Sequence, residues 1–300
     1  MAGLGELAAF GTAAGWSLSS YVHGMVSRMV GARSVTLLRL PYQTVLLALV
    51  CLALGVETPM EPESVFYLFL SGFAGVSLCD FMLYHAMTII GPQTAILLLS
   101  LSSSFTALIG FLFLNEALSA QTVAGIATAT LGVFWVVSER AGSTLLPGQE
   151  TPKGRQLAFG VALSLGGAVA LALSFIFLKM GLRGGVPPLW AAFIRTVAAA
   201  VLLWGTGLFL GWSTKAVRDV RAQPKVFWML LGVSAFSAGG MWLSSVAMSL
   251  IPTGVAATLI GLQPILVAVV GAVWCRRMPS WRVITGTMIA FCGTALVCLR

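Results

Sequence analysis

Charge is what this sequence has least of. Only 9% of its 300 residues are Asp, Glu, Lys or Arg, while 58% are hydrophobic, against about 25% charged in a soluble domain. The mean hydropathy is +0.98. So little polar surface excludes a globule folded in water. Apolar stretches of about 20 residues, long enough to cross a bilayer core of about 30 Å, recur with few charges inside them. Lipid cannot satisfy backbone N–H and C=O groups, so these stretches are expected to be helices. The expected fold class is an all-α integral membrane protein, with the lipid bilayer as its solvent.

Other scarcities narrow the chemistry. There are two histidines, His23 and His85. The five cysteines, Cys51, Cys79, Cys275, Cys292 and Cys298, mostly lie inside apolar runs and show no metal-ligand spacing. They read as packing thiols, and neither a metal nor a cofactor is expected. The chain has no G-x-x-x-x-G-K-[ST], no H-E-x-x-H and no G-x-S-x-G, so ATP hydrolysis, zinc proteolysis and serine hydrolysis have no support; an enzyme is not expected. The net charge of +8 is no nucleic-acid footprint, because the basic residues sit at the ends of apolar segments, where cytoplasmic charges of membrane proteins gather. The first apolar run follows no basic n-region and reads as a retained helix.

Ten spans can be placed, at about 7–26, 36–56, 65–86, 93–114, 120–137, 159–180, 189–210, 226–248, 254–273 and 283–299. The long polar connection "SERAGSTLLPGQETPKGRQ" falls between the fifth and the sixth. It divides the chain into a first five-helix unit, 1–138, a cytoplasmic linker, 139–156, and a second five-helix unit, 157–300. The units resemble each other. Residues 84–119 parallel 244–280, Pro92 matching Pro252 at an offset of 160; Gly125 matches Gly286 and Gly132 matches Gly293 at 161; Arg39 matches Arg195 at 156. Five is odd, so the two copies must cross the membrane in opposite senses. Such inverted repeats place a site near the membrane midplane in many transporters, and a central cavity between the units is expected.

Orientation follows from the loop cations. Lys179, Arg183 and Arg300 share the side of the N-terminus; twelve others, from Arg28 and Arg33 to Arg282, lie on the opposite side. That side is expected in the cytoplasm, with both termini outside.

The paired segments "GPQTAILLLSLSSSFTALIGFLFLNEALSAQTVAGIATATLG" and "PTGVAATLIGLQPILVAVVGAVWCRRMPSWRVITGTMIAFCG" resemble the drug/metabolite transporter superfamily, of the EamA-type, ten-helix kind. Each has a Pro- or small-residue turn, a long span, a short polar corner and a Gly-bearing last span. An Arg in the second span of each half fits as well. Two departures stand out. The corner acid, Glu116, is replaced in the second half by Cys275-Arg276-Arg277, and Pro264 of the long span has Ser104 as its counterpart. Among relatives, the chain is similar to bacterial amino-acid exporters of the YddG type. The resemblance implies a secondary transporter in the bacterial inner membrane, exporting amino acids or related metabolites, aromatic ones among them, by alternating access. A lipophilic cation or a sugar derivative is the alternative cargo, and a non-transporting scaffold the alternative class. A monomer or weak oligomer is expected, with a small molecule as its partner.

The candidate site residues are the polar and aromatic side chains inside spans. On an ideal helix Phe73, Val76, Asp80, Tyr84 and Met87 share one stripe, while His85 lies about 140° from Asp80. A carboxylate at membrane depth should face protein or water, so Asp80 and Tyr84 read as cavity-lining, with a structural interhelical bond as the alternative. His85 is a site candidate or interhelical glue. Asp80 or His85 could carry a coupled proton, which a uniporter would need from neither. Ser103 pairs with Gln263 across the repeat, as expected around one central site, and both are candidate contacts for a small zwitterion. Ser244, aligned with Tyr84 at an offset of 160, is another. Trp16 and Trp242, deep within spans, could stack on a substrate or pack in the core. Pro264 should free a backbone carbonyl at Ile260. Arg39 and Arg195 read equally as snorkelling cations or as contacts for a substrate carboxylate; for Lys179 snorkelling is favoured. The spacings Gly11/Gly15 and Gly207/Gly211 suggest close helix packing.

Overall fold

In the computed structural model, the described residues are 2–56, 61–114, 120–138, 153–221, 223–251, 253–267, 270 and 280–298. Pro252, Glu116, Cys275-Arg276-Arg277 and most of the 139–156 linker lie outside them. All regular structure among the described residues is helical: α1 Ala2–Val30, α2 Ala32–Ala53, α3 Pro62–Ser71, a π-type segment Gly72–Cys79, α4 Asp80–Ile90, α5 Pro92–Leu99, α6 Ser102–Leu114, α7 Ala120–Ser138, α8 Arg155–Gly181, α9 Pro188–Phe209, α10 Trp212–Arg221, α11 Pro224–Leu250, α12 Thr253–Ile260 and α13 Trp281–Cys298.

Local sequence explains the punctuation. Pro62, Pro92, Pro188 and Pro224 occupy the first turns of α3, α5, α9 and α11, where a missing N–H leaves nothing unpaired. Gly31 and Gly91 adopt positive φ at the sharp α1–α2 and α4–α5 turns, a conformation that penalises other residues. Pro41 lies inside α2. It cannot donate to the Leu37 carbonyl one turn earlier, and the Trp204 indole of α9 donates to that oxygen instead, at 2.8 Å.

Among the described residues, each of the ten expected spans falls mainly on helix. Five helices, Ala32–Ala53, Pro62–Ile90, Arg155–Gly181, Pro188–Phe209 and Pro224–Leu250, are long and apolar enough to cross a membrane by length and composition. The rest are diluted, broken or shorter. α1 has 29 residues but many are Gly and Ser. The fourth span breaks at Ser100–Leu101, between α5 and α6, and the ninth at Gly261–Leu262, after α12.

These breaks are equivalent in the repeat, yet only the second has a proline beside it. In the first, the Ser100 hydroxyl donates to the Leu97 carbonyl at 2.6 Å and the Ser103 hydroxyl to the Ser100 carbonyl at 3.0 Å. Serines thus compete for the backbone acceptors of a helix. The break expected from Pro264 alone therefore has a serine-built counterpart.

Helix pairing is reciprocal between the halves. α1 packs along α11, and α3, the π segment and α4 pack along α8; α1 meets α12 as α8 meets α5; α2 pairs with α9 and α7 with α13. Exchanging first-half helices for their second-half counterparts reproduces the same pairs, as a pseudo-two-fold axis requires. The matched glycines show this in detail. A Cβ on Gly132 would collide with Gly286 O at 2.7 Å and with the Ala290 backbone; one on Gly293 would meet Gly125 O at 2.7 Å and the Ala129 backbone.

Of the other glycine spacings, Gly11 and Gly15 do lie against α11, near Leu243 and the Phe236 carbonyl. Gly211 does not pack. It has φ +69 with open space around it and ends α9. The surface helix α10 that follows was read as loop. It buries Ser213, Ala216 and Val220, and Arg33, beside the α1–α2 turn, lies 4.6 Å from the Trp212 ring centroid. Cations expected on one membrane face are thus gathered at one end of the bundle.

Candidate functional site

The second helix of each half carries its arginine at the same depth. Arg39 is seven positions beyond the start of α2 and Arg195 seven beyond the start of α9, about 10 Å along the helix axis. Each is only 1% exposed, so neither snorkels. For Arg39 the reason is a boundary: α2 starts at Ala32, four residues before the expected span, and adds a full turn outside the arginine; α9 starts within one residue of its expected span, and packing alone buries Arg195.

Arg39 is saturated. It forms an ion pair with Asp80, donates from Nη1 to Gln43 Oε1 at 3.1 Å and from Nη2 to the Val76 carbonyl at 3.2 Å, and lies over the Tyr84 ring at 5.3 Å. Asp80 is the only acid of the nine in this sequence to sit deep inside an expected span. A carboxylate and a guanidinium at membrane depth are individually costly and stabilise each other.

Arg195 is not saturated. Nη2 donates to Ser174 Oγ at 3.1 Å; Nε and Nη1 are buried without a partner. Ser174 has no proton left to rearrange. Its hydroxyl donates to the Ser71 carbonyl at 2.8 Å, and the Ser71 hydroxyl donates to the Ser174 carbonyl at 2.8 Å. Two glycines of the π segment make room for this corner. A Cβ on Gly72 would strike the Arg195 carbonyl, and one on Gly75 would come within 2.7 Å of Ser174 Cβ.

Both arginines face one cavity of about 50 Å³ between the two halves, whose wall includes Trp16, Asp80, Tyr84 and Gln263. This is room for a few waters, so a metabolite enters only when the walls move. Gln263 sits at the break of the ninth span; its Nε2 donates to Ser20 Oγ at 3.1 Å, and Ser17 Oγ donates to its carbonyl at 3.1 Å. The broken ninth span thus ties to α1 at the cavity edge.

Four of the eight candidate residues therefore share one wall: Trp16, Asp80, Tyr84 and Gln263. The other four lie elsewhere. His85 donates its Nδ1–H to the Phe81 carbonyl at 2.7 Å, stacks on the Phe81 ring at 4.3 Å and points away from the cavity. Ser103 and Ser244 turn their hydroxyls onto their own helices, at the Ser100 and Met241 carbonyls. Trp242 packs in an apolar cluster with residues such as Leu40, Val76 and Met241.

The expected stripe holds for Val76, Asp80, Tyr84 and Met87, but Phe73 leaves it and is 45% exposed. The π segment is the cause: its wider turn changes the angular step that the 100° reading assumed. Two further residues were undervalued. His23 lies 3.2 Å from the Tyr84 hydroxyl through Nδ1, which fixes Tyr84 against the wall. Lys179 does not snorkel; its ammonium donates to the Met248 and Ile251 carbonyls at 2.7 and 3.4 Å, capping the end of α11 as a cation at a helix C-terminus does.

Two inverted helical units around an enclosed charged cavity form the architecture of a membrane carrier. Comparison with known proteins agrees. The model of the EamA-like transporter family matches residues 3–138 and 158–299, and the chain belongs to that family: it is a multi-pass membrane transporter of the drug/metabolite type. No curated protein matches it. A solved structure titled only "Crystal structure of protein" is similar in fold, with TM-score 0.66 and 19% identity over 98% of this chain and 96% of that one.

Proposed function

We propose that the protein is a secondary transporter that exports small metabolites, namely amino acids, aromatic ones among them, from the bacterial cytoplasm by alternating access. The observation that supports this reading most is a cavity between the repeats carrying both charge signs. Arg195 offers unused donors, and Asp80 keeps about a fifth of its surface exposed, so a zwitterion finds a partner for each end. Trp16 and Tyr84 on the same wall supply faces for an apolar or aromatic side chain. Two guanidiniums against one carboxylate disfavour a lipophilic cation. The breaks at Ser100–Leu101 and Gly261–Leu262 provide places where the halves can flex, since discontinuous helices commonly border such sites.

Counterflow of a panel of labelled amino acids into proteoliposomes tests the reading. Uptake of at least one is expected; movement of none removes the substrate assignment. The reading also puts both termini outside the inner membrane, on the strength of the loop cations. A C-terminal reporter active only in the cytoplasm should stay silent.

A further inference from the structure

We propose that the two repeat-related arginines have different roles: Arg39 is a permanently neutralised structural cation, and Arg195 is the anchor for a carboxylate on the transported solute. The proposal rests on the transporter reading above and narrows the cargo to molecules that carry a carboxylate.

A guanidinium has five N–H donors in a planar fork. Arg39 spends its terminal nitrogens on a carboxylate, an amide oxygen and a backbone carbonyl. Arg195 spends one donor on a neutral hydroxyl, and among the described residues no carboxylate lies within ion-pair distance of it. Both are equally buried. A buried cation with no direct ion-pair partner is held at a cost unless something completes it, and Arg195 faces the central cavity, sharing Asp80 with Arg39 only at a distance.

The group that fits is a planar carboxylate, which two adjacent N–H donors can grip at once. The repeat explains why no resident acid does so. The Asp80 position, carried by the offset of 160, falls on Gly240, and the Trp16 indole sits where a side chain there would project. The pocket that holds a carboxylate in the first half holds a ring in the second, and the acid must come from outside.

The test uses the purified full chain in detergent, read by thermal unfolding, with phenylalanine, 3-phenylpropanoate (no amine) and phenethylamine (no carboxylate) as probes. A ligand that binds the folded state raises the midpoint by mass action. Both carboxylates should raise it and phenethylamine should not. Arg195→Gln should raise the ligand-free midpoint above wild type, because it removes an unpaired buried charge, and should abolish both carboxylate shifts. Arg39→Gln should lower the midpoint, because it strands Asp80. Arg195→Lys, which keeps the charge but loses the fork, should retain only part of the shift.

The assignment fails if Arg195→Gln lowers the ligand-free midpoint or keeps the carboxylate shifts. It also fails if no carboxylate shifts wild type, or if chloride or phosphate alone shifts it as far as the carboxylates do. Amino-acid counterflow by wild type is scored separately. Its absence rejects the export reading, whereas undiminished counterflow by Arg195→Gln rejects only the anchor.

Discussion

Arg39 and Arg195 begin from the same place: the second helix of each half, seven residues in, buried to the same degree. One is locked to Asp80, Gln43 and a backbone carbonyl; the other rests on a single serine. The repeat preserves where a side chain sits, but not what answers its charge. In a carrier this has a consequence. Symmetric halves can exchange conformations with little difference in packing, while an asymmetric charge lets a ligand bias one arrangement over the other, as a population shift requires.

The largest way to break the contrast is to make the two corners alike. Asp80→Asn leaves Arg39, like Arg195, buried without an ion-pair partner, holding only its bonds to Gln43 and the Val76 carbonyl. Loss of one partner of a buried pair costs about 3–5 kcal/mol, so the variant should unfold well below wild type in detergent. The double change Arg39→Met with Asp80→Leu should recover most of that loss. If Asp80→Asn unfolds with wild type, the pair does not hold the corner. If it also transports normally, Asp80 carries no coupled proton.

Next in size is the glycine seam between α7 and α13. Gly132→Ala and Gly293→Ala each press a methyl onto backbone of the other helix, which cannot rotate aside. A loss of about 1–3 kcal/mol is expected for each from overpacking. Because the contacts are exchanged by the pseudo-two-fold, the two losses should match within error. A clear inequality would show that the asymmetry of the cavity extends into the scaffold.

Lys179→Met removes the donor that caps α11 and should cost about 1 kcal/mol, seen as faster hydrogen exchange around Met248–Ile251. The smallest effect belongs to His85→Phe. Its ring bonds its own helix and stands outside the cavity, and an interhelical or local hydrogen bond in a membrane averages about 0.6 kcal/mol. Transport rate and its pH dependence should be those of wild type; a changed pH profile would make His85 a proton carrier after all.

Much of the scaffold was legible in the amino-acid sequence. The spans, the five-plus-five division and the glycines Gly125, Gly132, Gly286 and Gly293 were all visible, and the structure brings the matched pairs together. Four of the eight candidates, Trp16, Asp80, Tyr84 and Gln263, lie on the cavity wall. Arg39 was misjudged because a helix boundary a few residues out of place turns a buried cation into a terminal one. Ser103 and Ser244 turn to their own helices because a serine can bond its own backbone, and nothing in the residue type says which acceptor it takes. Phe73 failed because one π segment shifts the face of every residue on its far side. α10 reads as loop in the sequence because its 10 residues are too short and too charged for a span, and only Ser213, Ala216 and Val220 are buried.

Solvent, helical class, repeat and the inverted relation of the halves follow from hydropathy, proline and glycine placement and the parity of five. These are local or additive properties, and summing them along the chain requires no knowledge of contacts. Which polar residues meet is a different kind of quantity. It depends on the rotation of each helix about its axis, where one residue is worth about 100°, and on the depth at which neighbours cross. The Arg39–Asp80 pair, the unanswered donors of Arg195, the Trp204 bond to the carbonyl opposite Pro41 and the Lys179 cap all join residues from separate helices. Only the packed bundle sets those angles and depths, because the energy that chooses them comes from every interface at once.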